Sequence, residues 1–230
     1  MSSQVPELSV IVPVWQEGAQ LQILIDHLAS QAYPYELIVV DGDADQATLQ
    51  HLSPYPLHFR GITAPRGRGT QMNAGVSVAQ GKYLLFLHAD AHLPSNGLSD
   101  LVQVLRAGAA AGAFDLGIRS SRWELKLIAR VASLRSRLTR IPYGDQAIFM
   151  RREVFEAVGG YPETPIMEDV GLMQRLKRQG YAIQILRDRV QVSPRRWEQE
   201  GILYCTLRNW GLITLYFLGV SPHQLAAWYK

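Results

Sequence analysis

Hydrophobic and polar positions alternate between two periods over the first hundred residues. The segments LSVIVPV (8–14), YELIVVD (35–41), LHFRGI (57–62) and KYLLFLH (82–88) are short, apolar and rich in β-branched residues, and they predict strands buried on both faces. Between them, GAQLQILIDHLASQ (18–31), ADQATLQHL (44–52) and RGTQMNAGVSVAQ (68–80) carry apolar residues at helical spacing, with Leu21, Leu24, Ile25 and Leu28 on one stripe. Strands alternating with helices of this length predict βαβ units, hence an α/β fold with a mostly parallel central sheet and helices on both faces. Ligands of such sheets bind beyond the carboxyl ends of the strands. The residues to inspect are therefore Pro13 to Glu17, Asp41 to Asp45 and His88 to His92.

The second half loses this regularity. Residues 122–138 predict a helix with Trp123, Leu127, Val131, Leu134 and Leu138 on one face and Arg122, Lys126, Arg130, Arg135 and Arg137 over much of the rest. QAIFMRR (146–152) and YAIQILRDRVQVS (181–193) read as strands, and MEDVGLMQRLKRQG (167–180) as a helix stopped by Gly180. The tail 201–220 reads as a strongly apolar helix interrupted by Arg208 and Asn209. Its apolar run after Asn209 is about half of the ~20 residues needed to cross a bilayer, so it is expected to be buried or interfacial.

Composition narrows the class. With 230 residues, 47% hydrophobic and 19% charged, the chain is expected to fold as one ordered domain without repeats or low-complexity linkers. A single cysteine, Cys205, excludes an intramolecular disulfide framework, and the N-terminus has no secretory pattern, so a cytoplasmic protein is expected. The net charge of +3 is unevenly spread: residues 1–118 carry five Lys/Arg against ten Asp/Glu, and residues 119–230 carry eighteen against ten. The basic half is expected to face something anionic.

The chemistry concentrates at the end of the fourth apolar run, in His88-Ala89-Asp90. A carboxylate there can hold a hard divalent cation, since Mg²⁺ takes only one or two protein carboxylates and completes its shell with phosphate and water. The alternative is that Asp90 caps the helix following LPSNG while His88 and His92 merely pack. PRGRGTQMNAG (65–75) has two glycines before a helix but lacks the Gly-Lys-Ser/Thr ending of a P-loop. Glu168-Asp169 opens a helix, where acidic residues are favoured by the helix dipole alone.

In order, VIVPVWQEG, LIVVDGDAD, PRGRGTQMNAGVSVAQGKYLLFLHAD and MEDVGLMQRL resemble glycosyltransferase family 2, nucleotide-sugar enzymes of the GT-A fold, over about residues 8–200. The finer pattern resembles a bacterial subgroup that writes the family's Asp-x-Asp as His-Ala-Asp, leaving Asp90 as the metal position and His88 in place of the first aspartate. The resemblance implies a single GT-A domain over 1–230, with a nucleotide-binding half to 118, an acceptor and catalytic half to 200 and the apolar helix thereafter. It implies a nucleotide-diphosphate sugar donor, first of all a UDP-sugar, and Mg²⁺ or Mn²⁺ at Asp90. It also implies nucleotide contacts at Pro13, Glu17, Asp41, Arg68, Asn73, His88 and Ala89, although Asp41 can equally cap the helix near Asp45. Gly144, Asp145 and Gln146 would line the sugar and acceptor pocket. Asp169 would be the general base of an inverting transfer, with Glu168 in support, raising its proton affinity by like-charge repulsion. SPRRWEQEG matches the Gln-x-x-Arg-Trp motif of processive synthases only in part, because Ser193 stands where glutamine would be; Arg195, Arg196 and Trp197 are expected at the diphosphate or acceptor, without processivity.

Three other readings stand beside this one. A non-catalytic nucleotide-binding or lipid-surface module would keep the fold. A nucleotidyltransferase would need a Gly-rich signature that PVWQEG lacks, and no nucleic-acid motif accompanies the basic residues. The basic helix and apolar tail fit a peripheral contact at the inner face of a membrane, useful for a lipid-linked acceptor; core packing with a solvated or homodimer-forming face is the alternative.

Overall fold

The apolar runs become the sheet. The computed structural model of the chain describes residues 6–52 and 59–229. Its elements are β1 (Leu8–Val14), α1 (Gly18–Ala29), β2 (Glu36–Asp41), α2 (Ala47–Leu52), β3 (Arg60–Thr63), α3 (Arg68–Val78), β4 (Tyr83–Phe86), α4 (Gly97–Arg106), β5 (Ala111–Ile118) and α5 (Trp123–Thr139). A 3₁₀ turn (Gly144–Gln146) follows, then β6 (Phe149–Arg151), α6 (Arg152–Ala157), α7 (Glu168–Arg178), β7 (Ile183–Val192), α8 (Arg195–Glu200), α9 (Ile202–Phe217) and α10 (Pro222–Trp228). Positions 57 and 58 of the third predicted strand lie outside the described residues.

The described strands form one seven-stranded sheet in the order β3-β2-β1-β4-β6-β5-β7. Only β6 runs antiparallel, to both β4 and β5. Alternation along the strands feeds two cores. Val10, Val12, Leu37 and Val39 pack with Leu21, Leu24 and Leu28 of α1 and with Leu98 and Leu101 of α4. Ile11, Ile38 and Val40 face the other way, onto Met72 and Val76 of α3 and Leu172 and Met173 of α7. This is the two-faced burial that the continuous apolar runs predict. Connections from β1 run to β2 on one side and return to β4 on the other, which opens a crevice at the carboxyl ends of β1 and β4. Gln71 holds that edge, its amide donating to Val14 O (2.9 Å) and Val40 O (2.8 Å) at the ends of β1 and β2.

Two features depart from the sequence reading. Strand β5, AGAFDLGI, is wholly buried yet too rich in Ala and Gly to stand out as an apolar run. A Cβ on its Gly112 would lie 2.4 Å from the Phe149 ring and from Gln184 O, so only glycine lets β6 and β7 flank it. Helix α5 forms where expected, but it packs through Leu125, Ala129, Ser133 and Ser136, and the large apolar stripe faces solvent. Small residues let the helix settle closely on β5, and the Ser133 hydroxyl accepts from Leu116 N at 2.9 Å. Among the described residues no helix is long and apolar enough to cross a membrane.

Candidate active site

Beyond Phe86 the chain leaves the sheet, and His88, Ala89 and Asp90 turn into a cavity of about 300 Å³ at the strand ends. A backbone bridge between His92 and Gln191, 2.8 Å in both directions, ties this turn to β7. His92 does not line the cavity; its ring stacks on His27 with centroids 4.7 Å apart. Burial, with Arg68 and Arg196 nearby, pushes the His88 pKa down to about 3, so its ring is neutral, and its Nε2 is buried without a hydrogen-bond partner. Asp90 does not cap α4, which begins at Gly97 after Asn96. Its carbonyl accepts from Arg119 at 3.0 Å. Its carboxylate lines the cavity with Glu17, whose own pKa is raised by burial and then by the Asp90 charge.

The second wall comes from α7. Met167, in the left-handed region at φ 63°, turns the chain so that Glu168 and Asp169 open the helix facing the cavity. Non-glycine residues held there are strained, and such strain gathers at functional sites. Gly144 N–H donates to Asp169 Oδ2 at 2.6 Å and Val170 N–H to Oδ1 at 2.7 Å, fixing the carboxylate while a lone pair on each oxygen stays free. A Cβ on Gly144 would stand 3.1 Å from His88 Nε2 and 3.5 Å from Asp169 Oδ2, so the two walls meet at this glycine. Glu168 is buried and lies 3.7 Å from the half-exposed Arg68. Burial first, then the Asp169 charge, raises its pKa despite that arginine. Burial likewise raises Asp145 to about 6, and its Oδ1 is buried without a partner.

The cavity gathers Pro13, Glu17, Arg68, His88, Ala89, Asp90, Gly144, Asp145, Glu168, Asp169, Arg195, Arg196 and Trp197. Three expected residues stand outside it. Asp41 is fully buried, its carboxylate accepting from the backbone N–H groups of Asp43 (3.0 Å), Thr48 (3.0 Å) and Leu49 (3.3 Å), and so holds the start of α2. Asn73 is spent on both backbone groups of Tyr161. Gln146, fully buried, bonds Ser136 (2.6 Å) and Phe114 O (2.9 Å), joining α5 to β5. The sequence reading also missed lining residues: Tyr143, Ile166 and Val170 beside the catalytic candidates, and Asn209, Leu212, Ile213 and Tyr229 from the tail. The tail folds back over the opening, with Arg196 hydrogen-bonded to the Tyr229 hydroxyl and Tyr216 to Gln174 of α7 (3.3 Å). The apolar stretch of 201–220 was the one signal for this, and periodicity alone gives no partner.

The sequence profile of "Glycosyl transferase family 2" matches residues 9–159, about two thirds of the chain. The chain belongs to glycosyl transferase family 2. It is 30% identical over 172 residues to the PGL/p-HBAD biosynthesis glycosyltransferase of Mycobacterium bovis, covering 68% of this chain and 63% of that protein. It is 24% identical over 222 residues to the glycosyltransferase AglE of Haloferax volcanii, covering 85% and 69%. Among solved structures, the mannosyltransferase PcManGT of Pyrobaculum calidifontis superposes with a TM-score of 0.65 at 21% identity, over 82% of this chain and 57% of that one, and shares its GT-A fold. Across curated relatives the chain spans between 16% and 69% of their length. The family is one of glycosyltransferases. The matched segment carries the β1, β4 and α3 residues of the cavity and ends before Glu168 and Asp169.

Proposed function

We propose that this family 2 member is an inverting glycosyltransferase that moves a sugar from a nucleotide-diphosphate donor to an acceptor hydroxyl. The observation that carries the reading is a carboxylate with free lone pairs, Asp169, held by Gly144 N–H and lining one cavity with Asp90, His88 and Arg68. The donor lies over the β1 and β4 ends. Arg68, Arg195 and Arg196 face its negative charge, and the His88 Nε2 offers a neutral polar contact. Asp90, whose carboxylate lines the cavity near Glu17, would hold a divalent cation, Mg²⁺ or Mn²⁺; since among the described residues no group of three or more His, Cys, Asp or Glu gathers, diphosphate oxygens and water would have to complete its shell. When bound, the cation neutralises charge on the departing diphosphate.

The proton is the task of the chain itself. Asp169 takes it from the acceptor hydroxyl as that oxygen bonds to the anomeric carbon; the carbon's bond to the diphosphate oxygen breaks on the opposite side, and its electron pair leaves with the nucleotide. An α-linked donor therefore gives a β-linked product. Beside Asp169 the wall is apolar, formed by Ile166, Val170, Leu212 and Ile213, which favours an acceptor carrying an apolar group, such as a lipid-linked one. A UDP-sugar is the donor to try first.

Asp169→Asn can keep the Gly144 hydrogen bond through its amide oxygen, giving up the Val170 one, and removes the proton acceptor. Transfer should fall about 10²–10⁴-fold, while calorimetry with UDP and Mn²⁺ finds nucleotide affinity within about twofold. Equal loss of both would remove Asp169 from the base role. Wild type that binds nucleotide and never turns a donor over would make the chain a binding module.

A further inference from the structure

Helix α5 is seated with its large apolar residues outward. Trp123, Leu127, Val131, Leu134 and Leu138 are between 43% and 75% exposed. At about 100° per residue they fall in an arc of about 80° opposite the face that packs on β5. Lys126 and Arg130 border that arc, both exposed and in no ion pair among the described residues. The helix has one carboxylate, Glu124, and it is paired with Arg122 at 3.1 Å.

We propose that α5 is a docking face for the anionic surface of a lipid bilayer, lying in the interface with its apolar stripe among the acyl chains and its cations at the headgroups. Charge selects this occupant. An apolar arc bordered by unpaired cations matches negative headgroups, and tryptophan favours the boundary between apolar and wet layers. A second copy docked antiparallel by the same stripe would set the Lys126 and Arg130 border against its own image, like charge to like. Helix α9 also exposes apolar residues, among them Leu203, Leu207, Trp210 and Phe217. Its only charge, Arg208, is tied to Glu200, so α9 carries no comparable selectivity. The inference is independent of the transfer chemistry and goes beyond it.

The test is flotation of the full chain with vesicles of phosphatidylcholine alone and of an equal mixture with phosphatidylglycerol. Wild type should float only with the anionic mixture, and less as salt is raised. Leu127→Glu with Leu134→Glu should lower partitioning at least about tenfold, and Lys126→Glu with Arg130→Glu should erase the lipid preference. Leu207→Glu with Trp210→Glu in α9 should leave binding unchanged. Circular dichroism and melting of each variant confirm folding, and Trp123→Phe should remove part of the fluorescence quenched by brominated lipid. Three results overturn the proposal: no flotation of wild type, loss confined to the α9 variant, or a lipid-free dimer by light scattering that the α5 glutamates dissociate.

Discussion

The two walls of the cavity are built on opposite principles. The wall at the β1 and β4 ends is polar and charged, with Glu17, His88 and Asp90 just past the strand ends and Arg68 at the start of α3. The wall from α7 and α9 is mostly apolar, with one carboxylate pair and Asn209 as its polar groups. On the proposed reading, the donor is recognised by charge and the acceptor mainly by shape, with Asp169 as the polar group that acts on its hydroxyl. The family profile covers the first wall and ends before α7; the second wall is completed by a tail folded onto α7. Three measurements break or sharpen that contrast.

The largest effect is expected at Asp145, on the charged side. Its pKa is raised from 3.8 to about 6, chiefly by burial. The folded state then holds a proton that the unfolded chain has released, so stability falls as pH rises from the unfolded value towards about 6, and stays level above. Asp145→Asn has no such dependence. Relative to wild type it should gain about 2–3 kcal/mol between about pH 4 and about pH 8, read from urea melts at each pH. A constant difference across that range would mean that Asp145 ionises without cost and that the charged wall is wetter than its burial implies.

Next comes Gly144, where the walls touch. Its added methyl in Gly144→Ala would press on His88 Nε2 at 3.1 Å and sit 3.5 Å from Asp169 Oδ2. A shift of a few tenths of an ångström in either group should lower kcat roughly tenfold, with donor KM nearly unchanged. If donor KM rises instead while kcat holds, the methyl disturbs nucleotide seating and the base is placed independently of this turn.

How far the sequence reaches follows the same division. Strands β1, β2 and β4 were legible because unbroken apolar runs have few other uses, and the strand-end rule then pointed to Glu17 and His88–Asp90. Strand β5 was not, because its close approach to Phe149 demands small residues that carry no hydrophobic signal. The α5 pattern showed a stripe but not its direction; small residues and two serines took the inner face, since their hydroxyls find partners in Leu116 and Gln146. Asp41 and Asn73 sit at positions where a motif suggests ligand contacts, and the partners of their polar atoms are backbone N–H groups and Tyr161. Hydrogen-bond partners distant in sequence are invisible to local pattern, and so is the return of the tail over the cavity.

The smallest effect is expected at that tail. Ile213 is half-buried, lines the cavity and packs beside Tyr216 on the α7 core. Ile213→Ala removes apolar surface from the acceptor wall alone. At about 0.8 kcal/mol per buried methylene, or a factor of about four, acceptor KM should rise roughly four- to tenfold while donor KM holds. The comparison needs two acceptors sharing one hydroxyl group, with and without an apolar tail. Only the tailed acceptor should feel the substitution, because the other never reaches Ile213. Equal losses for both would mean that α9 shapes the site as a whole, and the division into a charged donor wall and an apolar acceptor wall would fail at its second half.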